Sequence, residues 1–360
     1  MGARRRWLVA VAGLGLAAAA CGGGGGGSND DPLAGNSFEN PATEKILQFT
    51  GVGKAHISGT LTLPTGVKGP VPAVLIVPSP GLTTRDGRTV GAPIDNLYKD
   101  LSKSFVAAGM ATFRYDHRGA GASTLEAGAP APTWDDMVSD ASDALKFLGE
   151  RQEIDGSRLA VVGHEMGGPM ALKLAANDAR VKSVLLVAAP GRPLVDVWAG
   201  EFQALSGQQS ADDFRALVAN LETTGAFPPR DSIRPEQQTV LPVGQDTLYK
   251  GIFAVDPLAD AKAVKVPVLI ALGEKSTSVT AEDAGRIAKA LGGTSEVVTA
   301  PNATATLQTL KAAPPRVVGG DPSDMSMMGG GPIIADAPRD GPTLTRMTTF
   351  LATSVGAKAA

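Results

Sequence analysis

The sequence predicts an α/β fold with a doubly wound, mostly parallel sheet, and three observations carry that prediction. Short, continuously apolar runs such as Ala73-Val74-Leu75-Ile76-Val77 read as strands covered on both faces. Amphipathic stretches of helical period separate these runs, and the two patterns alternate along most of the chain. The 360 residues, 43% of them apolar, suffice for one large core or two modest ones.

The elements follow in order. Stretches 46–49 and 56–63 read as an antiparallel pair, in which Ile57, Gly59, Leu61 and Leu63 alternate with polar residues. Strands of parallel character are expected at 73–77, 110–115, 159–162, 184–187 and 266–272, with a shorter one at 296–299. A helix over 94–108 places Leu97, Leu101, Phe105 and Ala108 on one face and stops at Gly109. Another over 137–148 turns Met137, Ala141, Ala144 and Leu148 inward, and 342–355 closes the chain with Leu344, Met347, Phe350 and Leu351 apolar. Two stretches break the rhythm. Residues 191–261 lack sheet signals and hold a helical candidate at 212–222, as expected of a cap inserted above the strand ends. Residues 311–337, with Pro314-Pro315, clustered glycines and Met325, Met327 and Met328, have no period and read as an irregular surface loop.

The N-terminus has its own logic. Three arginines, Arg4 to Arg6, precede an apolar stretch from Trp7 to Ala20 that is too short to span a bilayer stably, so 1–20 reads as a signal peptide. Cys21, the only cysteine, stands where a lipoprotein signal places its acylated residue, although Ala18 occupies a position that favours Leu; the alternative is ordinary cleavage beside an incidental cysteine. Residues 21–43 are a Gly-rich flexible tether before a domain over 44–360. The expectation is an exported cell-envelope lipoprotein, held at the membrane by the lipid on Cys21. Gly22, by resemblance to known lipoprotein sorting, directs it to the outer membrane if the source has two. A lone cysteine allows no internal disulfide. The net charge is -3, or -6 without the first twenty residues, and no basic run lies beyond the N-terminus, so no nucleic-acid partner is expected. Without a CxxC, HExxH or phosphate-cradling glycine loop, neither a metal nor a cofactor is expected. The carboxyl pairs Asp135-Asp136 and Asp212-Asp213 read as charges at helix starts.

The chemistry gathers at Gly163-His164-Glu165-Met166-Gly167-Gly168, between the apolar run 159–162 and a helical stretch. A buried strand, a glycine-flanked turn and a helix are the form of a nucleophile elbow, which holds its central side chain in a strained pose at the helix N-terminus. That central residue is normally Ser. Here it is Glu165.

Taken with Val77-Pro78-Ser79-Pro80-Gly81, Arg85-Asp86-Gly87, Phe113-Arg114-Tyr115-Asp116-His117-Arg118-Gly119, Asp256-Pro257 and the run Pro267 to Gly273, the elbow resembles the α/β-hydrolase superfamily. More narrowly, the chain is similar to the bacterial carboxylesterase and serine-aminopeptidase-like branch over roughly residues 44–355. The resemblance implies a serine nucleophile where Glu165 stands, an acid where Ser276 stands and a histidine where Ala305 stands. It assigns Ser79 and Met166 to the oxyanion loop and pocket, with Ser79 between two prolines that donate no N–H.

Several functions stay open. In the first, the catalytic slots are degenerate, Glu165 plugs the oxyanion donors, and the protein binds or scaffolds a small ester-like molecule or a protein partner. In the second, an ester hydrolase works with relocated residues, His117 serving as substitute base for Ser79, Ser123 or Ser276, or Glu165 acts as a carboxylate nucleophile. The other reading of His117 is a loop histidine bonded to backbone, and His164 reads as structural. In the third, Glu165 is a trap that is alkylated once.

Overall fold

The computed structural model describes residues 43–81, 83–88, 95–241, 243–293, 295–310 and 337–358. The signal, Cys21, nearly all of the tether and nearly all of the irregular loop expected at 311–337 lie outside them. Strands β1 (Thr43–Thr50), β2 (His56–Leu63), β3 (Val71–Val77), β4 (Ala111–Tyr115), β5 (Ile154–His164), β6 (Val181–Val187), β7 (Val268–Gly273) and β8 (Ser295–Ala300) form one sheet. Their order is β1-β2-β4-β3-β5-β6-β7-β8. The β1/β2 and β2/β4 pairs are antiparallel and all later pairs are parallel, as the change of pattern after residue 70 predicts.

The pleat sends alternate residues of the central strands to opposite faces. On one face Ala73, Leu75 and Val77 of β3 belong to a core that also takes in Met137 and Ala141 of α2 (Trp134–Gly149), Met170 of α3 (Gly167–Asn177) and Ile287 of α8 (Ala281–Leu291). On the other, Val74 and Ile76 share a core with Leu101 and Phe105 of α1 (Leu97–Ala107) and Met347 and Leu351 of α9 (Gly341–Ser354). Burial on both sides is why these strands read as unbroken apolar runs.

Between β6 and β7 the chain leaves the sheet for α4 (Leu194–Ser206), α5 (Gln208–Thr224), the single turn α6 (Pro235–Gln238) and α7 (Asp246–Phe253). These helices carry a core of their own, in which Phe202, Phe214, Leu221 and Phe253 are buried together. Helix α5 starts at Gln208, a turn before the expected 212, so Asp212 and Asp213 lie inside it rather than at its start. There they accept side-chain hydrogen bonds from Gln208 and Gln209. Asp136 does act at a helix start: it forms a capping box with Thr133 at α2.

Candidate active-site crevice

Strand β5 ends at His164 and α3 begins at Gly167, leaving two residues to reverse the chain. Glu165 makes the turn with φ +46°, a left-handed backbone that costs a side-chain-bearing residue about 1–2 kcal/mol. Its N–H donates to Val187 O (3.0 Å) and its carbonyl accepts from Gly168 N–H (2.8 Å). A Cβ on Gly163 would stand 2.4 Å from Gly167 O, and one on Gly167 would stand 2.5 Å from Val77 O, so the crossing closes only with glycines. The strained elbow is intact around a residue that is not serine.

Strands β3, β5, β6 and β7 are parallel neighbours, so the loops after them open on one edge of the sheet, and there they frame a cavity of about 140 Å³. Ser79, Glu165, Met166, Pro190 and Val279 come from the sheet side. Leu194, Val197 and Trp198 of α4 and Tyr249 and Ile252 of α7 form the roof. The Glu165 side chain is about one-third exposed, with Oε1 3.9 Å from His164 Nε2, beyond hydrogen-bond range. Its carboxylate accepts no hydrogen bond from a described residue. The expected plug is therefore not made: at φ +46° the side chain leaves the backbone donors and enters the crevice.

A short relay runs behind the elbow. Ser79 N–H donates to Tyr98 Oη (3.1 Å), and that hydroxyl lies 2.9 Å from His164 Nδ1. The hydroxyl and Nδ1 share one hydrogen bond, donated from either side according to the imidazole tautomer, and Nε2 is buried without a hydrogen-bond partner. Burial pushes the Tyr98 phenol well up and holds the His164 imidazole below its ordinary value, despite the opposing pull of Glu165. His164 is thus held toward its neutral form, and neither ring nitrogen is hydrogen-bonded to Glu165.

A family model described as serine aminopeptidase, S33, matches residues 95–303. The chain belongs to that α/β-hydrolase family. Esterase EstD of Thermotoga maritima is 28% identical over 243 residues, 67% of this chain and 55% of that protein, so the chain spans about half the length of this curated relative. Two solved structures share the fold. They are α/β hydrolase GrgF from Penicillium sp. sh18 (TM-score 0.54, 18% identity, 87% of this chain and 99% of that one) and hypothetical protein PA2218 from Pseudomonas aeruginosa (TM-score 0.55, 16% identity, 87% and 94%).

In this S33-family chain the residues that the resemblance puts in the other two slots serve the loops themselves. Ser276, in the acid slot, accepts Val279 N–H on its Oγ (3.3 Å) and closes the turn into α8. Ala305, in the histidine slot, is buried between Thr304 and Thr306, whose hydroxyls lie 3.2 Å apart. Neither residue lines the cavity. Of the expected oxyanion pair, Ser79 and Met166 both do, but the Ser79 N–H is already given to Tyr98.

His117 has a structural place rather than that of a substitute base. It is fully buried, donates Nε2–H to Pro78 O (3.2 Å), and keeps an unpartnered Nδ1 sealed from solvent. Burial holds its pKa down at about 4. Ser123, fully engaged with Asp116 O and Ser58 N–H, is buried too. No serine hydroxyl among the described residues is hydrogen-bonded to a histidine ring. The family motifs nearby are also scaffolding: Arg85 clasps Asp116 (Nη2 to Oδ2, 2.5 Å), and Arg118 clasps Asp140 (2.6 Å). Tyr98, Trp198 and Tyr249 are the site residues that sequence reasoning passed over. Tyr98 lies on the apolar face of a recognised helix, whereas the other two sit on helices α4 and α7 that no clean stripe announced.

Proposed function

We propose that this chain is an exported, Cys21-anchored α/β-hydrolase-fold protein that has lost ester hydrolysis and holds a ligand in the crevice above Glu165. One observation carries the reading: the elbow presents a carboxylate with no histidine nitrogen within hydrogen-bond range of it. Carboxylate attack on an ester would give an anhydride, which is more activated than the ester it came from, and no base stands ready to direct water at it. Loss of triad members costs several orders of magnitude in rate, leaving only binding and residual oxyanion donation. The esterase relative shows which chemistry the scaffold can host, and the three altered slots account for its removal here.

The test is hydrolysis of p-nitrophenyl acetate by the full chain. The expected result is no turnover above buffer for the unaltered protein or for Glu165→Ser alone, and measurable turnover for Glu165→Ser, Ser276→Asp, Ala305→His combined. Turnover by the unaltered chain would overturn the reading. The anchor is checked on the same material, since Cys21→Ser should move the protein from the membrane to the soluble fraction.

A further inference from the structure

The crevice carries a charge that no described side chain of its wall answers. Among the described residues Glu165 is the only carboxylate lining it, and no Lys, Arg or His does. His164, the nearest imidazole, is neutral and beyond hydrogen-bond range. The remaining wall is mostly apolar, with the indole of Trp198 and the phenol of Tyr249 set in it. Burial, and after it the Glu165 charge, push that phenol up to about 12, so the field of the carboxylate reaches the aromatic side of the cavity. A carboxylate partly withdrawn from water into such a wall is stabilised chiefly by a counter-charge.

The chemistry of the wall narrows that counter-charge. A hard metal ion takes six or more oxygen ligands, and the cavity offers one carboxylate with the hydroxyls of Ser79, Ser278 and Tyr249. No group of three His, Cys, Asp or Glu that could hold a metal occurs among the described residues. A primary ammonium or a guanidinium presents three to five N–H donors to the few oxygens and brings no carbon around its charge to meet the apolar and aromatic part of the wall. Carbon substituents on the nitrogen remove those donors and match Leu194, Val197 and Ile252, while the aromatic faces attract the diffuse positive charge. The volume of about 140 Å³ is close to that of cavities known to admit benzene, roughly 150 Å³.

We propose that the crevice is a binding site for a small alkylated ammonium, with its charge at Glu165 and its carbon substituents against Trp198 and Tyr249. The proposal rests on the non-hydrolytic reading and names the ligand class for it.

The experiment is calorimetric titration of the full chain with choline and with 3,3-dimethylbutan-1-ol, which has the same shape and no charge. Choline should bind at least about tenfold more tightly than the alcohol, in keeping with an ion pair and a cation–π contact acting together. Glu165→Gln should erase that preference and leave alcohol binding within about twofold. Equal binding of the two probes, or no binding of choline at millimolar concentration, overturns the proposal. The comparison on the unaltered chain does not depend on any variant folding. Ester turnover is scored separately: an active chain that still prefers choline defeats the non-hydrolytic reading alone, and an inert chain indifferent to charge defeats the cation site alone.

Discussion

His117 shows how a residue with the right chemistry can be put to another use. Its Nε2–H holds Pro78 O, and so shapes the loop that brings Ser79 to the crevice, while complete burial keeps the ring neutral. The folded ring takes up a proton only near pH 4, whereas in the unfolded chain it does so near 6.5. Between those values the unfolded state binds the extra proton, so the His117 contribution is whole above about pH 6.5 and is lost as the pH falls toward 4. The loss amounts to roughly 3 kcal/mol at the lower end. His117→Gln keeps a donor for Pro78 O without a titrating ring. Urea midpoints for this variant should therefore fall less steeply between pH 7 and 4.5 than those of the unaltered chain. Identical slopes would mean that the ring is not neutral in the fold.

At the scale of elements, the elbow is a packing constraint as much as a catalytic one. Gly163 is the last residue but one of β5 and packs against the start of α3, so a methyl group there would meet backbone atoms of Gly167 and Gly168 at 2.4–2.7 Å that cannot rotate away. Gly163→Ala should cost about 2–3 kcal/mol or more in urea unfolding. Gly285, exposed on α8 with nothing within 4 Å of its would-be Cβ, makes the opposite case: Gly285→Ala should stabilise by about 0.5–1 kcal/mol through helix propensity. A Gly163→Ala protein as stable as its parent would place the elbow elsewhere. The same contrast explains what the sequence disclosed. Strands β3, β5, β6 and β7 were legible because burial on both faces writes an unbroken apolar run, and the elbow because its glycines have no steric substitute. Helix α8 escaped because its stripe is only Ala284, Ile287 and Leu291 among charged neighbours, and α4 because its apolar residues face both the cap core and the crevice. The relay through Tyr98 was not legible either, since it joins residues 66 apart through a tertiary contact.

Over the whole domain, buried charges bind segments that are distant in the chain. Arg339, just before α9, pairs with Asp95, just before α1, and both side chains are almost wholly buried. The same guanidinium donates to Thr306 O (2.8 Å), in the turn that carries Ala305, and Asp95 Oδ1 also accepts Leu97 N–H (2.8 Å) at the start of α1. With a second pair to Asp100 on α1 (3.3 Å), Arg339 thus fastens the first helix, the last helix and the turn that carries Ala305. Removing one member strands a buried charge, which costs about 3–5 kcal/mol, whereas neutralising both leaves mainly a packing defect. Arg339→Met should therefore destabilise by about 3 kcal/mol or more, while Arg339→Met combined with Asp95→Asn, which keeps an acceptor for Leu97 N–H, should cost less than the two single changes added together. A coupling of about 1–3 kcal/mol in a double-mutant cycle is the expected result. Strict additivity would mean that solvent reaches the pair, and the turn beneath Ala305 would then owe its position to the sheet alone. An Ala305→His histidine would then keep its place without the clamp, so adding Arg339→Met to the triple variant would leave its ester turnover unchanged; with the clamp acting as drawn, that turnover falls.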